Sequence, residues 1–339
     1  MTDQNDAEAQ LYNHTNQLLK AHETLLSDTT RNRAFYRALK KTVGHDSAVL
    51  DIGSGTGVWA VAAARLGAKR VVAIEAEPLL VGLIRKVARD NGVEDRVEVF
   101  QGDSRQVQLG RDFDIVISET IGYLVFDEPI VPVMIDARSR FLKPGGILIP
   151  ESVALMAAAG HLEHYDKNLP AGIPVTEKYF ESLALNIPVG LTDRAQLKVL
   201  TNPEELIRAD LYTIAVPPNL ENLSASWELP DARKVNCFAV WGAASLARGV
   251  TVTTRETSSW PPMIYRIKPF EQEQGILEFR LALTTKSNYW TASLTSGPKQ
   301  EVQSYSPAFA ASELLARSRA DPNVFDKLER LMLTQNFEH

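Results

Sequence analysis

A single cysteine, Cys237, stands in 339 residues, which excludes an intrachain disulfide and any cysteine-based zinc cluster; no metal is expected. No run of about 18 consecutive apolar residues occurs, the length a spanning helix needs. The first residues, Met1-Thr-Asp-Gln-Asn-Asp, are polar and acidic, so no secretory signal is expected there. These absences point to a soluble, cytoplasmic protein with no membrane partner. No block of Lys and Arg is present, and 36 basic against 42 acidic residues leave a formal charge of −6. Nucleic acid, which demands a basic footprint, is therefore not an expected partner. Mild acidity suits a cationic substrate, although it also serves solubility alone.

What is present is a globular composition, 45% hydrophobic and 23% charged, at a length that predicts two domains. Residues 8–41 read as helical, with Leu11, Leu18, Leu19, Leu25, Leu26, Phe35 and Leu39 at helix-compatible spacings. From Ala48 to about Pro150, strands at 48–52, 70–75, 97–101, 112–118 and 146–149 alternate with helices at 58–66, 78–91 and 128–140. That alternation predicts a Rossmann-like α/β domain with a parallel sheet. Beyond it, short β-compatible runs at 153–158, 211–216, 224–229, 235–241, 249–254, 276–285 and 289–294 predict a mostly antiparallel β-barrel. The expected division is an N-terminal helical segment at 1–40, the Rossmann-like domain at 41–150 and the barrel at 151–339. A partly helical stretch at 162–206 interrupts the barrel pattern, and Asp321-Pro322 opens a helix expected at 321–334.

The first strand runs into Asp51-Ile-Gly53-Ser-Gly55-Thr-Gly57-Val58. Glycines there let a ligand approach backbone, but a dinucleotide site would need glycine where Val58 stands. An acid just ahead of the loop repels pyrophosphate and suits a ligand with an ammonium and a sulfonium, as in S-adenosylmethionine. Glu75, at the end of the second strand, is placed to bind ribose hydroxyls. Asp103, after the third, stands where an adenine edge would lie. Loop, acid and Gly102-Asp103 in register predict a methyl-donor site using Asp51, Gly53, Gly55, Glu75 and Asp103.

The fourth strand ends in Ser118-Glu119, and Glu128 closes the loop that follows. A guanidinium is planar, permanently charged and offers a fork of donors. One carboxylate fixes its plane while a second draws charge away from the attacking nitrogen, combining orientation with electrostatic stabilisation. With the donor motif, the pattern S-E-x-x-G-Y-x-x-x-x-E resembles the double-glutamate loop of the protein arginine methyltransferases, with Ser118, Glu119, Gly122, Tyr123 and Glu128 all falling on it.

That resemblance extends over nearly the whole chain. His22-Glu23-x-x-Leu26-x-Asp28-x-x-Arg31 is similar to the family's H-E-x-x-L-x-D-x-x-R stretch, implying Arg31 on the donor carboxylate. Residues 162–206 resemble its dimerisation arm, implying a homodimer. The resemblance implies Glu119 and Glu128 as catalytic residues, and Tyr12, Asp28, Tyr123, Ser259 and Trp260 about the substrate pocket. The chain departs from the family where Ser258-Ser259-Trp260 replaces T-H-W, so that Ser259 stands for the histidine expected to pair with Asp28. Asn16 replaces an aromatic, Arg105 an acid, and Asp127 an aromatic. The implied activity is S-adenosylmethionine-dependent methylation of an arginine guanidinium, in a protein, peptide or free arginine-like small molecule. The alternatives are another small-molecule amine or hydroxyl acceptor, and a non-catalytic dimer that holds the donor.

Overall fold

Alternating strands and helices between residues 48 and 149 do form in the computed structural model, which describes residues 2–163, 178–284 and 288–317. Two helices come first: α1 (Thr2–Ser27) and α2 (Thr29–Thr42). The helical stretch expected as one piece breaks at Asp28, whose carboxylate accepts the Arg31 N–H and caps α2. Ala34, Phe35, Ala38 and Leu39 form the buried face of α2, with Phe35 stacked on Trp59 at 5.2 Å.

There follow β1 (Ala48–Ile52), α3 (Val58–Arg65), β2 (Arg70–Glu75), α4 (Pro78–Asp90), β3 (Val97–Gln101), β4 (Phe113–Ser118), α5 (Ile130–Arg140) and β5 (Leu142–Ile149). The five strands pair in the order β3-β2-β1-β4-β5, all parallel. Their apolar runs are long because such strands are covered on both faces. Val49, Leu50, Val71, Val72, Ile115 and Val116 are buried accordingly.

The later elements are β6 (Ser152–Leu162), α6 (Lys178–Ala184), β7 (Val189–Gly190), β8 (Leu197–Val199), β9 (Glu204–Asp210), β10 (Leu223–Leu229), β11 (Cys237–Ala247), β12 (Val250–Thr253), β13 (Met263–Arg266), β14 (Gly275–Ala282), β15 (Tyr289–Ser296), β16 (Lys299–Tyr305) and α7 (Pro307–Arg317). A four-stranded antiparallel sheet, β10-β14-β15-β16, and a second following β7-β13-β11-β6-β8 make up the β-barrel architecture. Phe238 of one sheet stacks on Phe279 of the other at 4.2 Å, and Tyr265 meets Trp290 at 5.1 Å.

The chain forms two compact units, neither continuous in sequence. The first holds residues 1–154, 208–217 and 241–261, and the second holds the rest. Residues 208–217 and 241–261, which lie beyond the junction expected at residue 150, thus belong with the parallel sheet. Ala244, Leu246, Val250, Val252 and Trp260 share its core.

The strand expected at 211–216 does not form. The Asp210 carboxylate accepts the Tyr212 N–H at 2.9 Å and turns the chain, while Arg138 takes the carbonyls of Leu211 and Ile214 at 2.6 and 2.7 Å. Residues 164–177 of the expected arm and the helix expected at 321–334 lie outside the described residues. No helix among the described residues is long and apolar enough to cross a membrane.

Candidate active site

All the residues of this site lie in the first unit. Strand order reverses between β1 and β4, and the carboxyl edge of the sheet there is where ligands bind in such folds. β1 delivers Asp51 and the glycine loop, β2 delivers Glu75, and β4 delivers Ser118 and then Glu119.

Gly53 and Gly55 have φ of +68° and +56°, a region that favours glycine. The N–H groups of Gly53 and Ser54 both donate to the Ile74 carbonyl, at 3.0 and 3.1 Å. The Gly55 N–H donates to Glu75 Oε2 at 2.7 Å, and the Glu77 N–H to Oε1 at 2.9 Å. Each oxygen keeps a second lone pair for a further donor. Glu77 caps α4 through the Leu79 N–H and pairs with His14 of α1 at 2.8 Å. The His22 ring, also from α1, lies over the loop: a Cβ on Gly55 would stand 2.9 Å from its Cε1. Burial lowers the His22 pKa, with Arg31 adding to the effect and Glu75 opposing it. These two histidines, which attach α1 to the loop and to α4, are site residues that the sequence reading assigned no role, although His22 lay inside its matched H-E stretch.

Asp51 is buried, and Oδ2 accepts the Ala60 N–H at 3.0 Å. Its Oδ1 meets no donor. Burial pushes its pKa up to about 7, with the nearby Ser54 hydroxyl, which donates to the Asp51 backbone carbonyl, and the Ala60 N–H working against it and Glu75 adding to it. Asp103, expected at an adenine edge, is held by Arg105, whose Nε and Nη2 grip both carboxylate oxygens at 2.6 to 3.1 Å. That guanidinium is the main cause of the lowered Asp103 pKa.

Arg31 is 2% exposed and makes a buried ion pair, Nη1 to Glu119 Oε2. Its Nη2 donates to the Leu25 carbonyl at 2.7 Å and to Asn32 Oδ1 at 3.0 Å, and the guanidinium lies 5.5 Å over the Trp260 ring. Its Nε meets no acceptor. The Glu119 side chain is 9% exposed. Burial drives its pKa up, Arg31 draws it down, and the Glu128 and Asp51 carboxylates push it up again, to about 8. Glu128 is raised to about 7 by the protein around it and by Asp127. Glu128, nine residues on, thus contributes to the raised Glu119 value.

The loop between them is tightly held. Ser118 Oγ donates to the Ile52 carbonyl at 2.9 Å, tying the end of β4 to that of β1. Asp127 Oδ1 accepts the Leu124 N–H at 3.1 Å. Val125 has φ of +67°, a backbone region that costs a non-glycine residue on the order of 1–3 kcal/mol.

Asp28 Oδ2 accepts both the N–H and the hydroxyl of Ser259, at 2.8 and 2.6 Å. Burial would raise the Asp28 pKa, but the Ser259 hydroxyl and the N–H groups of Arg31 and Ser259 outweigh it, leaving the carboxyl below its usual range. Serine thus keeps the junction with Asp28, and no His–Asp dyad exists there. Trp260 is buried beside Arg31, whereas Tyr12 and Tyr123 are 71% and 47% exposed.

Residues 28–154, the parallel-sheet region, match the family described as ribosomal protein L11 methyltransferase. The chain is 31% identical over 243 residues to the arginine N(omega)-methyltransferase of Streptomyces achromogenes subsp. streptozoticus, covering 68% of this chain and 66% of that protein. It is 27% identical over 259 residues to the probable protein arginine N-methyltransferase 6 of Arabidopsis thaliana, covering 73% of this chain and 59% of that one. The chain thus spans about three fifths to two thirds of the length of these relatives. In fold it is similar to the Trypanosoma brucei PRMT1 enzyme–prozyme heterotetrameric complex with AdoHcy, at a TM-score of 0.71 and 22% identity, with 84% of this chain and 97% of that chain covered. Arabidopsis thaliana protein arginine methyltransferase 10 gives a TM-score of 0.70 at 21% identity over the same shares. Sequence relatives and fold agree, and this chain belongs to the protein arginine N-methyltransferase family.

Proposed function

We propose that the protein is an S-adenosylmethionine-dependent N-methyltransferase acting on an arginine guanidinium, carried by a polypeptide or by a free arginine-like small molecule. The observation that carries this reading is the placement of Glu119, paired with Arg31, at the sheet edge that also holds Asp51, the glycine loop and Glu75, with Glu128 at the far end of the loop that Glu119 opens. The name of the Streptomyces relative, an arginine N(omega)-methyltransferase, supports the acceptor class.

The residues fit a cationic nucleoside donor bearing a carboxylate. Asp51 Oδ1 is a buried acceptor with no partner and Arg31 Nε a buried donor with none. Asp51 would take the donor's ammonium, Arg31 its carboxylate, and Glu75 the ribose hydroxyls; Asp103 would border the adenine and Gly53 and Gly55 would line the loop. When bound, the donor supplies an electrophilic methyl on a sulfonium. Glu119 and Glu128 hold the acceptor: near neutral pH their raised pKa values leave the pair partly protonated, and an arriving guanidinium cation favours the doubly ionised form. Arg31 holds one oxygen of Glu119, leaving the other, with Glu128, to grip the fork of N–H donors. Trp260, Tyr12, Tyr123, Asp28 and Ser259 would border the acceptor.

The Ser259–Asp28 pair favours one alternative, transfer to another small-molecule amine or hydroxyl, because the position holds no imidazole base. A cytoplasmic homodimer belongs to the same reading: the lone cysteine suits a reducing compartment, and the Trypanosoma relative is described as a heterotetrameric complex. Product mass tests the reaction. Purified protein with S-adenosylmethionine, free arginine and an Arg-Gly-rich peptide in one tube is expected to add one or more CH₂ units to a guanidine. No gain on either acceptor would overturn the guanidine assignment.

A further inference from the structure

Within the first unit, the loop that carries Glu128 is bent by a side chain whose chemistry resists the bend. Val125 is β-branched with φ of +67°, an outlier for such a residue. The Phe126 N–H donates to the Leu124 carbonyl at 2.7 Å and closes a γ-turn about it. With positive φ this is the rarer, strained form of that turn.

Burial holds it in place. Val125 exposes no surface, and its Cγ2 fills a notch left by Gly242, where a Cβ would lie 2.0 Å from it and 3.1 Å from Thr254 Cγ2. The notch is itself braced: the Gly242 N–H donates to Thr254 Oγ1 at 2.9 Å, and the Thr254 N–H to the Gly242 carbonyl at 2.8 Å. Thr254 Oγ1 reaches the Tyr123 carbonyl at 3.4 Å, and Asp127 grips the Leu124 N–H from within the loop. Strained conformers persist where their surroundings over-determine them. These contacts are the surroundings, and Glu128 follows them directly in the chain.

We infer that Val125, seated in the Gly242 notch, is a positioning residue that sets where Glu128 presents its carboxylate to the acceptor. Segment 241–261 thereby imposes on the loop a shape that the loop's own sequence disfavours. This rests on the reading of Glu128 as an acceptor ligand, so the test needs one readout that does not require turnover.

Gly242→Ala, Val125→Gly and the double variant are compared with the unaltered chain. Donor affinity is read by calorimetry, kcat and KM for a guanidine by product mass, and the Glu128 titration by carboxyl carbon NMR, assigned with Glu128→Gln. Evicting Val125 with Gly242→Ala is expected to lower kcat by on the order of 10²-fold, the scale of a 1 Å misplacement, with donor affinity unchanged. The Glu128 titration should fall from about 7 toward the ordinary carboxyl range as the displaced loop gives the carboxyl more water, since burial is the main cause of its raised value. Val125→Gly adopts the turn without strain but empties the notch, and should lose less. The double variant should recover part of what Gly242→Ala loses, because glycine at 125 removes the collision; general damage to the fold would accumulate instead.

Native kcat with an unmoved Glu128 titration in both single variants would overturn the inference. If Gly242→Ala does not fold, Val125→Gly decides by the same readouts. If the unaltered chain methylates no guanidine, the proposed function fails, while the Glu128 titration still decides whether the notch positions that carboxylate.

Discussion

Asp51 is a carboxyl kept where one oxygen has a backbone partner and the other has none. Its pKa of about 7 in the fold lies above its ordinary value of 3.8, so between these values the folded chain binds more protons than the unfolded one. Stability then falls as pH rises through that window and the contribution is gone above it. Asp51→Asn still accepts from the Ala60 N–H and carries no charge. It should be more stable than the parent at pH 8, by at most about 4 kcal/mol on ~1.36 kcal/mol per unit, with little difference near pH 4. Denaturant unfolding at the two pH values measures this, and the same variant should lose donor affinity. The acids at strand ends could be placed from sequence because buried strands and a glycine loop mark those ends. The ion pair of Arg31 with Glu119 could not, since it joins residues 88 positions apart. Nor could the turn at Val125, where a β-branched residue signals the opposite backbone.

At the scale of elements, Asp28 joins the start of α2 to the turn that precedes β13. Asp28→Ala removes a helix cap, costing ~0.5–2 kcal/mol, and leaves the Ser259 N–H and hydroxyl buried without their acceptor, ~1–3 kcal/mol more for an unsatisfied group. Ser259→Ala forfeits one hydrogen bond and should cost ~1 kcal/mol. Chemical denaturation should therefore rank Asp28→Ala well below Ser259→Ala, and equal losses would mean the cap contributes nothing. The parallel strands were legible because runs such as Val71-Val72-Ala73-Ile74 are apolar throughout. β16 was not, because its alternate residues Glu301 and Gln303 are polar and partly buried while Val302 is exposed. β13 was missed because four residues after a Pro-Pro pair carry too little periodicity.

For the whole molecule, the decisive fact is that the first unit closes only with residues 208–217 and 241–261. A chain cut after residue 154 would contain the entire parallel sheet, yet Val125, buried in the intact protein, would lose the notch at Gly242 that seats it, and the core would lose Ala244, Leu246, Val250, Val252 and Trp260. Such a fragment is expected to aggregate and to bind a hydrophobic dye strongly; a monomeric fragment with native donor affinity would contradict this. Composition marked a change near residue 150 from alternating α/β to β. It carried no sign of the chain's return, because β11 and β12 read alike whichever core they enter.

That return also sets a schedule during synthesis. The sheet, the glycine loop and both glutamates leave the ribosome first, and roughly a hundred further residues must follow before segment 241–261 arrives, an interval of about 5–20 s at ~5–20 residues per second. Through that interval the loop bearing Glu128 lacks what bends it, so the nascent chain holds its acids without their final arrangement and acquires that arrangement only once segment 241–261 has emerged.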